Sequence, residues 1–189
     1  LLLVIFCILN SILAQKNYWV NTEISSVEWI GKKVTGQHEG LIQMKNSKYT
    51  FQNGTINSGT FLIDMQTIAV TDIHDQEQNE KLKNHFISKD FFSVKEHPTA
   101  KLQIVKSDQI GENKLNVSGD LTIKGITKRI EFETTLLIED KKMVAIGQVH
   151  IDRTQYDIRY GSESFIDNLG DKAINDLFTI KFKVAALAE

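Results

Sequence analysis

Cysteine is almost absent from this chain, and its single cysteine lies in a segment that we assign to export rather than to the fold. Cys7 belongs to the uncharged apolar run LLLVIFCILNSILAQ, which has the composition and small-residue end of a signal peptide and is short for a membrane-spanning helix of about twenty residues. We predict residues 1–14 to be part of an export signal, cleaved after Ala14, and residues 15–189 to form one periplasmic or secreted domain. Without disulfides, such a domain depends on its hydrophobic core.

An excess of basic charge is also lacking. The chain has 22 Lys and Arg against 24 Asp and Glu, which gives a net charge of −2. Proteins that bind nucleic acid need clustered basic residues to displace the counterions of the phosphate backbone. Here the basic residues lie beside acidic ones, as Lys128 and Arg129 do beside Glu131. The sequence therefore predicts no nucleic-acid partner.

Motifs for catalysis and metal binding are lacking as well. The chain contains neither G-x-S-x-G nor H-E-x-x-H, the patterns of a nucleophile elbow and of a zinc protease. A metal site from His74, Asp75 and His85 would need ligands about eleven residues apart on an exposed helix, which is a poor match to known ligand spacings. We predict no metal, no cofactor and no catalytic residue.

The chain does have a regular two-residue alternation of apolar and polar side chains, which is typical of β-strands with one wet face. In residues 114–124, Leu115 and Val117 face one way while polar side chains face the other, and the alternation returns in residues 128–138 and 176–187. Turn signals at Asn53-Gly54, Ser58-Gly59 and Lys124-Gly125 separate the strands. The predicted strands, some of which merge to leave about eight, are 20–22, 26–30, 34–44, 48–51, 60–65, 100–105, 114–123, 128–138, 143–152 and 176–187.

One stretch breaks this alternation. Residues 72–88 are polar and poor in β-branched side chains, and Leu82 and Phe86 are spaced by four, as on one face of a helix. We predict a helical insertion around residues 75–86 that docks through these two side chains. The only proline, Pro98, marks the return to extended structure.

Antiparallel strands with one apolar face pack as a sandwich or close into a barrel, and even spacing with short hairpin links favours a barrel. The sequence therefore predicts an all-β fold, an antiparallel eight-stranded β-barrel with a helical insertion. The predicted inner row contains Gly119, Thr134, Ala145 and Gly147, which leave room for a ligand but also occur where a barrel bends. An outer-membrane barrel would show similar alternation, but the heavily charged polar face favours water outside, so we expect no membrane-spanning protein.

Five short motifs carry a resemblance to a known family. They are SSVEW at 25–29, GQHEG at 36–40, SKDFF with His-Pro at 88–98, GDLTIKGIT at 119–127 and DRT at 152–154. In order and spacing the chain resembles the YceI family over nearly the whole of residues 15–189. The resemblance implies a lipocalin-like barrel, periplasmic or secreted, that binds or carries a polyisoprenoid or similar amphiphilic lipid in an apolar cavity, with no established catalysis.

Under this resemblance the lipid tail would lie against the inner row of the barrel. The residues that we expect to contact the tail are Leu102, Ile104, Leu115, Val117, Leu121, Ile123, Ile130, Phe132, Leu136, Phe178, Ile180 and Phe182. Burial of each methylene contributes about 0.8 kcal/mol, so that the tail supplies affinity without specific hydrogen bonds.

The polar head would lie at the rim, where His38, Arg153, Arg159 and Tyr160 are the candidates. A phosphate head favours the two arginines, and a quinone head favours the tyrosine. Each residue also has a structural alternative. Arg153 would tie the long following loop to the barrel through a neighbouring aspartate, and the others would be ordinary turn or loop residues. The sequence DRTQYDIRYGS departs from the family pattern here, which leaves the head group open.

An enzyme is the alternative function. A hydrolase acting on an isoprenoid or other small amphiphile would use rim carboxylates such as Asp64, Asp152 or Asp157 with His38 or His150. No motif supports this pairing. Monomer and homodimer are both open on the sequence.

Overall fold

The computed structural model describes residues 15–189, and the predicted export signal at 1–14 lies outside the described residues. The described chain forms one α-helix, α1 (Gln76–Ile87), and two short 3-10 helices, Arg153–Tyr156 and Gly170–Lys172. The strands are β1 Lys16–Val20, β2 Ser26–Lys33, β3 Gly36–Met44, β4 Lys48–Gln52, β5 Thr55–Val70, β6 Thr99–Gly111, β7 Lys114–Ile123, β8 Ile126–Glu139, β9 Lys142–Asp152 and β10 Ile174–Ala188. Within 15–189, no helix has the length and apolar character needed to span a membrane.

The strands form one closed antiparallel sheet. The order β3-β2-β10-β9-β8-β7-β6 is joined back to β3 through β5, which pairs with both β6 and β3. The predicted antiparallel eight-stranded barrel with a helical insertion is confirmed, because eight strands surround the axis at either end although ten are present.

Two pairs of strands share the space between β5 and β10. At one end of the barrel this space holds β2 and β3, which pair with β10 and β5 respectively. At the other end it holds β1 and β4, which pair with the far end of β10 and the start of β5. We call the first the open end and the second the closed end.

The hairpin turns follow the local sequence. Asn53 and Gly54 have φ of 53° and 82°, and Lys124 and Gly125 have φ of 51° and 76°, as the tight turns between twisted strands require. The predicted turn at Ser58-Gly59 is wrong, because both residues lie within β5. A Cβ on Gly59 would come within 2.7 Å of the Tyr49 Cβ, so this glycine allows two strands to pack closely.

Two hydrophobic clusters fill the barrel. The closed-end cluster contains Tyr18, Tyr49, Leu115, Leu136 and Met143, all nearly inaccessible to water. The open-end cluster is larger and includes side chains from β2, β3, β5 to β7, β9, β10 and the segment after α1. Both clusters pack against the same partly buried side chains, such as Phe61 and Leu102, so the core is continuous along the barrel.

The helix α1 covers the open end, as the pattern around residues 75–86 predicts. Asp75 caps its first turn by accepting a hydrogen bond from the Gln78 N–H at 2.9 Å. No α1 residue is fully buried, and the helix docks through Leu82 and Phe86. The Phe86 ring contacts the Trp29 ring edge-on at 5.0 Å between centroids. The helix is thus a cover held by a few apolar contacts and by Asn79, whose Nδ2 donates to the Val70 carbonyl of β5 at 3.0 Å.

Candidate functional site: an apolar cavity and its mouth

A cavity of about 270 Å³ lies along the barrel axis. Its floor is formed by Tyr49, Ile56, Ile104 and Val117 of the closed-end cluster, and its cover includes α1. It reaches the surface at the open end, where the exposed ends of β2 and β10 join its wall. Its volume is close to the lower end of the range for ligand pockets, about 300 to 1,000 Å³.

Ten of the twelve residues predicted to contact a lipid tail line this cavity. They are Leu102, Ile104, Val117, Leu121, Ile123, Ile130, Phe132, Phe178, Ile180 and Phe182. The other two, Leu115 and Leu136, point inward as predicted but lie deeper, within the closed-end cluster. Their alternation indicates the correct face of the strand, whereas their height along the barrel depends on the register between strands.

The small inner residues contribute unequally to this space. Thr134 and Ala145 line the cavity. A Cβ on Gly147 would lie 2.6 Å from Phe182 Cζ, and one on Gly119 would lie 2.8 Å from Leu102 Cδ1. Neighbouring side chains therefore occupy the space that the two glycines vacate.

Arg153 lies at the open end, but its guanidinium is used by the fold. It is only 3% exposed, and Nε donates to the Asn175 carbonyl, Nη1 to those of Ile158 and Tyr160, and Nη2 to that of Ile174, all at 2.8–3.0 Å. Nη2 also contacts a fifth partner, the carboxylate of Asp176. An arginine has five N–H donors, and all of them have protein partners here.

The ionic partner of Arg153 is Asp176, at 3.4 Å from Nη2 to Oδ1. The loop-tying alternative thus describes its contacts, although the partner comes from β10 rather than from the neighbouring aspartates. Burial lowers the pKa of Arg153, and the nearby Asp176 and Asp152 oppose this shift. The arginine still carries its charge at neutral pH, since its ordinary pKa is far above 7.

Asp152 is likewise occupied within the chain. Its Oδ1 accepts hydrogen bonds from the Thr154 N–H at 2.9 Å and the Thr154 hydroxyl at 2.6 Å. Burial works to raise the pKa of Asp152, but these hydrogen bonds outweigh it and lower the pKa. Burial, with the charge of Asp152, raises the pKa of Tyr156 to about 12. The DRT motif is therefore a structural corner at the end of β9.

The other two predicted rim residues do not line the cavity. Arg159 pairs with Asp157 at 3.1 Å and lies over the Phe165 ring at 4.6 Å, on the surface of the long loop, residues 153–173 between β9 and β10. Tyr160 is half exposed, and its ring meets the edge of the His85 ring at 4.3 Å between centroids. Only Arg153 and His38 of the four predicted head-group residues are part of the cavity wall.

His38 lines the mouth and is held from behind by an aspartate. Its Nδ1 lies 2.8 Å from Asp72 Oδ2, and Asp72 Oδ1 accepts the Glu39 N–H at 3.2 Å. Burial works to raise the pKa of Asp72, but the hydrogen bonds from His38 and Glu39 outweigh it and lower the pKa. Asp72 is therefore ionised at neutral pH, and a carboxylate can only accept, so the Nδ1 of His38 carries a proton.

Sequence reasoning missed four polar residues of the mouth, namely Lys32, Lys33, His85 and Asn175. A signal for Lys33 was present. Val27 and Trp29 face inward in β2, and the same two-residue period continues through Gly31 to Lys33. His85 and Asn175 had no such signal, because their places depend on how α1 and the long loop dock.

The carboxylates and histidines of the enzyme alternative are dispersed. Asp64 contacts Lys45 at 3.5 Å, Asp157 contacts Arg159, and His150 bonds to Thr179 at 2.9 Å on the outer face of the barrel. His38 contacts an aspartate that the sequence did not single out. Within residues 15–189, no group of three or more His, Cys, Asp or Glu could hold a metal ion.

A closed antiparallel barrel with an apolar cavity that opens at one end belongs to the class of lipocalin-like barrels. The model of the YceI-like domain matches residues 18–186, and the chain belongs to this family. The family expected from the five sequence motifs is thereby confirmed.

The chain is also similar to curated proteins of other bacteria. The chain is similar to a UPF0312 protein of Pseudomonas putida strain W619, with 28% identity over 54% of this chain and 50% of that protein, so the match spans half the length of that relative. A UPF0312 protein of Vibrio campbellii shares 28% identity over 70% of this chain and 79% of its own length.

Two solved structures share the fold. Burkholderia cenocepacia BcnA has a TM-score of 0.67 and 24% identity, covering 88% of this chain and 98% of its own. A polyisoprenoid binding domain from Saccharophagus degradans has a TM-score of 0.66 and 14% identity, covering 91% of this chain and 98% of its own. At these identities the likeness defines the shared barrel.

Proposed function

We propose that this protein binds and carries a polyisoprenoid or similar amphiphilic lipid in its barrel. The observation that carries the proposal is the cavity of about 270 Å³, whose wall is apolar except at the mouth and at Tyr49 and Thr134. An apolar tail inside the cavity would be removed from contact with water along nearly all of its length. The polyisoprenoid binding domain of Saccharophagus degradans, which shares the fold, supports this choice of ligand.

The expected affinity follows from the hydrophobic effect. Burial of each methylene contributes about 0.8 kcal/mol, so that each isoprene unit that enters the cavity raises affinity by more than a factor of ten. Once the cavity is full, a longer tail would remain in water. Affinity should therefore rise with tail length and then level off.

Native mass spectrometry tests this proposal. The protein is purified without detergent from the envelope of its own cell, and any bound mass is extracted and identified. The stripped protein is then titrated with farnesol and geranylgeraniol. We expect a stoichiometric prenyl lipid in the first step and uptake of one added lipid per barrel in the second. A clean apo mass together with no uptake would overturn the proposal.

Two neighbouring residues of β9 provide a matched pair of variants. Ala145 lines the cavity, and Val144 alternates to the outer face. Ala145→Phe should reduce lipid uptake by filling the cavity, whereas Val144→Phe adds a similar ring outside and should leave uptake unchanged. Circular dichroism checks that both variants fold. Equal uptake by the two variants would place the lipid outside the barrel.

Export to the periplasm or secretion forms part of the proposal, and the apolar run at 1–14 supports it. N-terminal sequencing of the protein from its native cell should give a mature chain that begins near Gln15. The same native spectra report whether the barrel is a monomer or a homodimer.

The hydrolase alternative predicts a different result in the same experiment. The pair of His38 and Asp72 at the mouth is the arrangement that would favour it, because an oriented imidazole is the usual general base. Incubation with a prenyl phosphate would then release inorganic phosphate, and Asp72→Asn would abolish the release. A carrier returns the prenyl phosphate intact.

A further inference from the structure

The ionisable residues of the cavity mouth are all basic. Three of them, Lys32, Lys33 and His38, come from the β2-β3 hairpin, and His85 lies across from them on α1. No Asp or Glu of residues 15–189 lines the cavity. A wall that is apolar in depth and basic at its mouth matches a ligand with an apolar tail and an anionic head.

Strand register brings Lys33 and His38 to the same face. Gly31 pairs with His38 and Lys33 pairs with Gly36 between β2 and β3, so that Lys33 and His38 are diagonal neighbours on the inward side. Such diagonal neighbours lie about 7 to 8 Å apart at the backbone, which is a distance that a head group can bridge. On its other side Lys33 pairs with Ile174 of β10.

These groups are free to bind a ligand, in contrast to Arg153. No ion pair formed among residues 15–189 includes Lys32 or Lys33. His38 uses only Nδ1 in its bond to Asp72, which leaves Nε2 available at the mouth. Of the acidic groups around this hairpin, Asp72 holds His38, Glu39 alternates to the outer face of β3, and Asp176 of β10 is engaged by Arg153 and Ser164.

We propose that Lys33 and His38 form a head-group site for a phosphate on the bound amphiphile. This assignment rests on the proposed lipid-binding function and names the class of head within it. A phosphate monoester offers several acceptor oxygens to Lys33 and His38, and it ionises for the second time near pH 6. Neutral His38 can accept a hydrogen bond from a protonated phosphate oxygen, and protonated His38 can donate to a charged one.

The site differs from the one expected on the sequence, where the two arginines were the candidates for a phosphate head. Arg153 has no free donor, and Arg159 lies outside the cavity wall. Lysine at the mouth has the advantage of a flexible stem, so that its ammonium can follow heads at slightly different heights.

Three ligands with the same tail test the head site, namely geranylgeraniol, geranylgeranyl monophosphate and geranylgeranoic acid. Binding to the stripped protein is measured by native mass spectrometry and by calorimetry at low and at high salt. We expect the monophosphate to bind roughly tenfold tighter than the alcohol at low salt, and this preference to shrink at high salt. The carboxylic acid should fall between them.

Variants then assign the preference to residues. Lys33→Gln and His38→Gln should each lose most of the preference for the phosphate and keep the affinity for the alcohol. Lys181→Gln is the matched control, because Lys181 is exposed on the outer face of β10 and its loss changes the net charge equally. A preference that falls in all three variants alike would contradict a local site.

The outcomes separate this inference from the function on which it rests. If alcohol and phosphate bind equally, the head site is overturned and lipid binding stands. If neither binds, the lipid-binding function is overturned, and the head site with it. If the phosphate preference survives in both Lys33→Gln and His38→Gln, these residues are not the site. If the carboxylic acid binds as tightly as the phosphate, the site recognises any anion and phosphate selectivity is overturned.

Discussion

At both ends of this barrel apolar side chains alternate inward, but the axis is filled at one end and hollow at the other. At the closed end, Tyr18, Tyr49, Leu115, Leu136 and Met143 meet across the axis and exclude water. At the open end, the inward side chains of the same strands stand around a cavity of about 270 Å³. The sheet encloses the axis at both ends, so the difference lies in what occupies the axis.

The strands β1 and β4 explain part of this difference. They replace β2 and β3 in the ring at the closed end, and they bring in two aromatic rings, Tyr18 and Tyr49, which stack at 5.3 Å between centroids. The open end is covered instead by α1, from which no residue is fully buried. The closed-end cluster therefore forms a tightly buried plug, whereas the cover at the other end is light. The cavity is accessible from the open end.

Arg153 gives the largest expected effect, because it stabilises the open end by means other than packing. Arg153→Met would remove the guanidinium donor from the carbonyls of Ile158, Tyr160 and Ile174 and from Oδ1 of an aspartate on β10. We expect the free energy of unfolding to fall by about 3 to 5 kcal/mol. Urea unfolding followed by tryptophan fluorescence measures the change.

A conservative variant controls this prediction. Arg153→Lys keeps the charge but offers three donors in place of five, so it should lose less stability than Arg153→Met. If Arg153→Met unfolds at the wild-type urea concentration, the carbonyls of the long loop do not depend on this residue, and the open end is held by packing alone.

Truncation of inward side chains should cost more at the closed end than at the open end. Leu136 is fully buried in the plug, and Leu136→Ala should lower the free energy of unfolding by about 2 to 5 kcal/mol. Ile130 lies on the same strand and face but borders the cavity. Ile130→Ala should cost less, because part of that side chain already has no packing partner.

Chemical denaturation of the ligand-free protein compares the two variants. Equal losses of stability would mean that the cavity wall is packed as tightly as the plug. A bound lipid should then narrow the difference, since it would supply the missing contacts at Ile130.

The features that local sequence determines were predicted, and those that depend on distant contacts were not. Alternation and the Asn-Gly and Lys-Gly turns located most strands of the barrel, because both are properties of neighbouring residues. Strand β1 was misplaced toward 20–22, whereas it spans Lys16–Val20. The strand β5 was cut short at both ends, and at its start the reason is Gly59, which serves a close approach to Tyr49 rather than a turn.

The candidate site shows the same limit. The inner row was assigned to the correct face, but its division between wall and plug depends on register, and Leu115 and Leu136 therefore lie in the plug. Arg153 was predicted to bind the head group, but its partners are mainly backbone carbonyls. No sequence motif reveals hydrogen bonds to backbone carbonyls. The alternation would have placed Lys33 on the inward face if the predicted strand 26–30 had been extended by three residues.

The smallest expected effect concerns a hydroxyl at the boundary between the two ends. Tyr49 is buried in the plug and borders the cavity floor, and its hydroxyl has no hydrogen-bond partner among the described residues. Burial, with Tyr18 nearby, raises the pKa of Tyr49, so the hydroxyl stays protonated. Tyr49→Phe should raise the free energy of unfolding by about 1 kcal/mol, because an unpaired buried polar group is removed while the ring is kept.

The sign of this change separates two descriptions of the plug. A hydroxyl that is paired in solution would make Tyr49→Phe destabilising by a similar amount, about 1 kcal/mol. Tyr156→Phe is the matched variant, since the Tyr156 hydroxyl is also buried and unpaired but belongs to the corner that follows β9. Stabilisation by both variants would show that the ring of each tyrosine, and not its hydroxyl, stabilises the barrel. It would also show that no water pairs with the Tyr49 hydroxyl at the closed end.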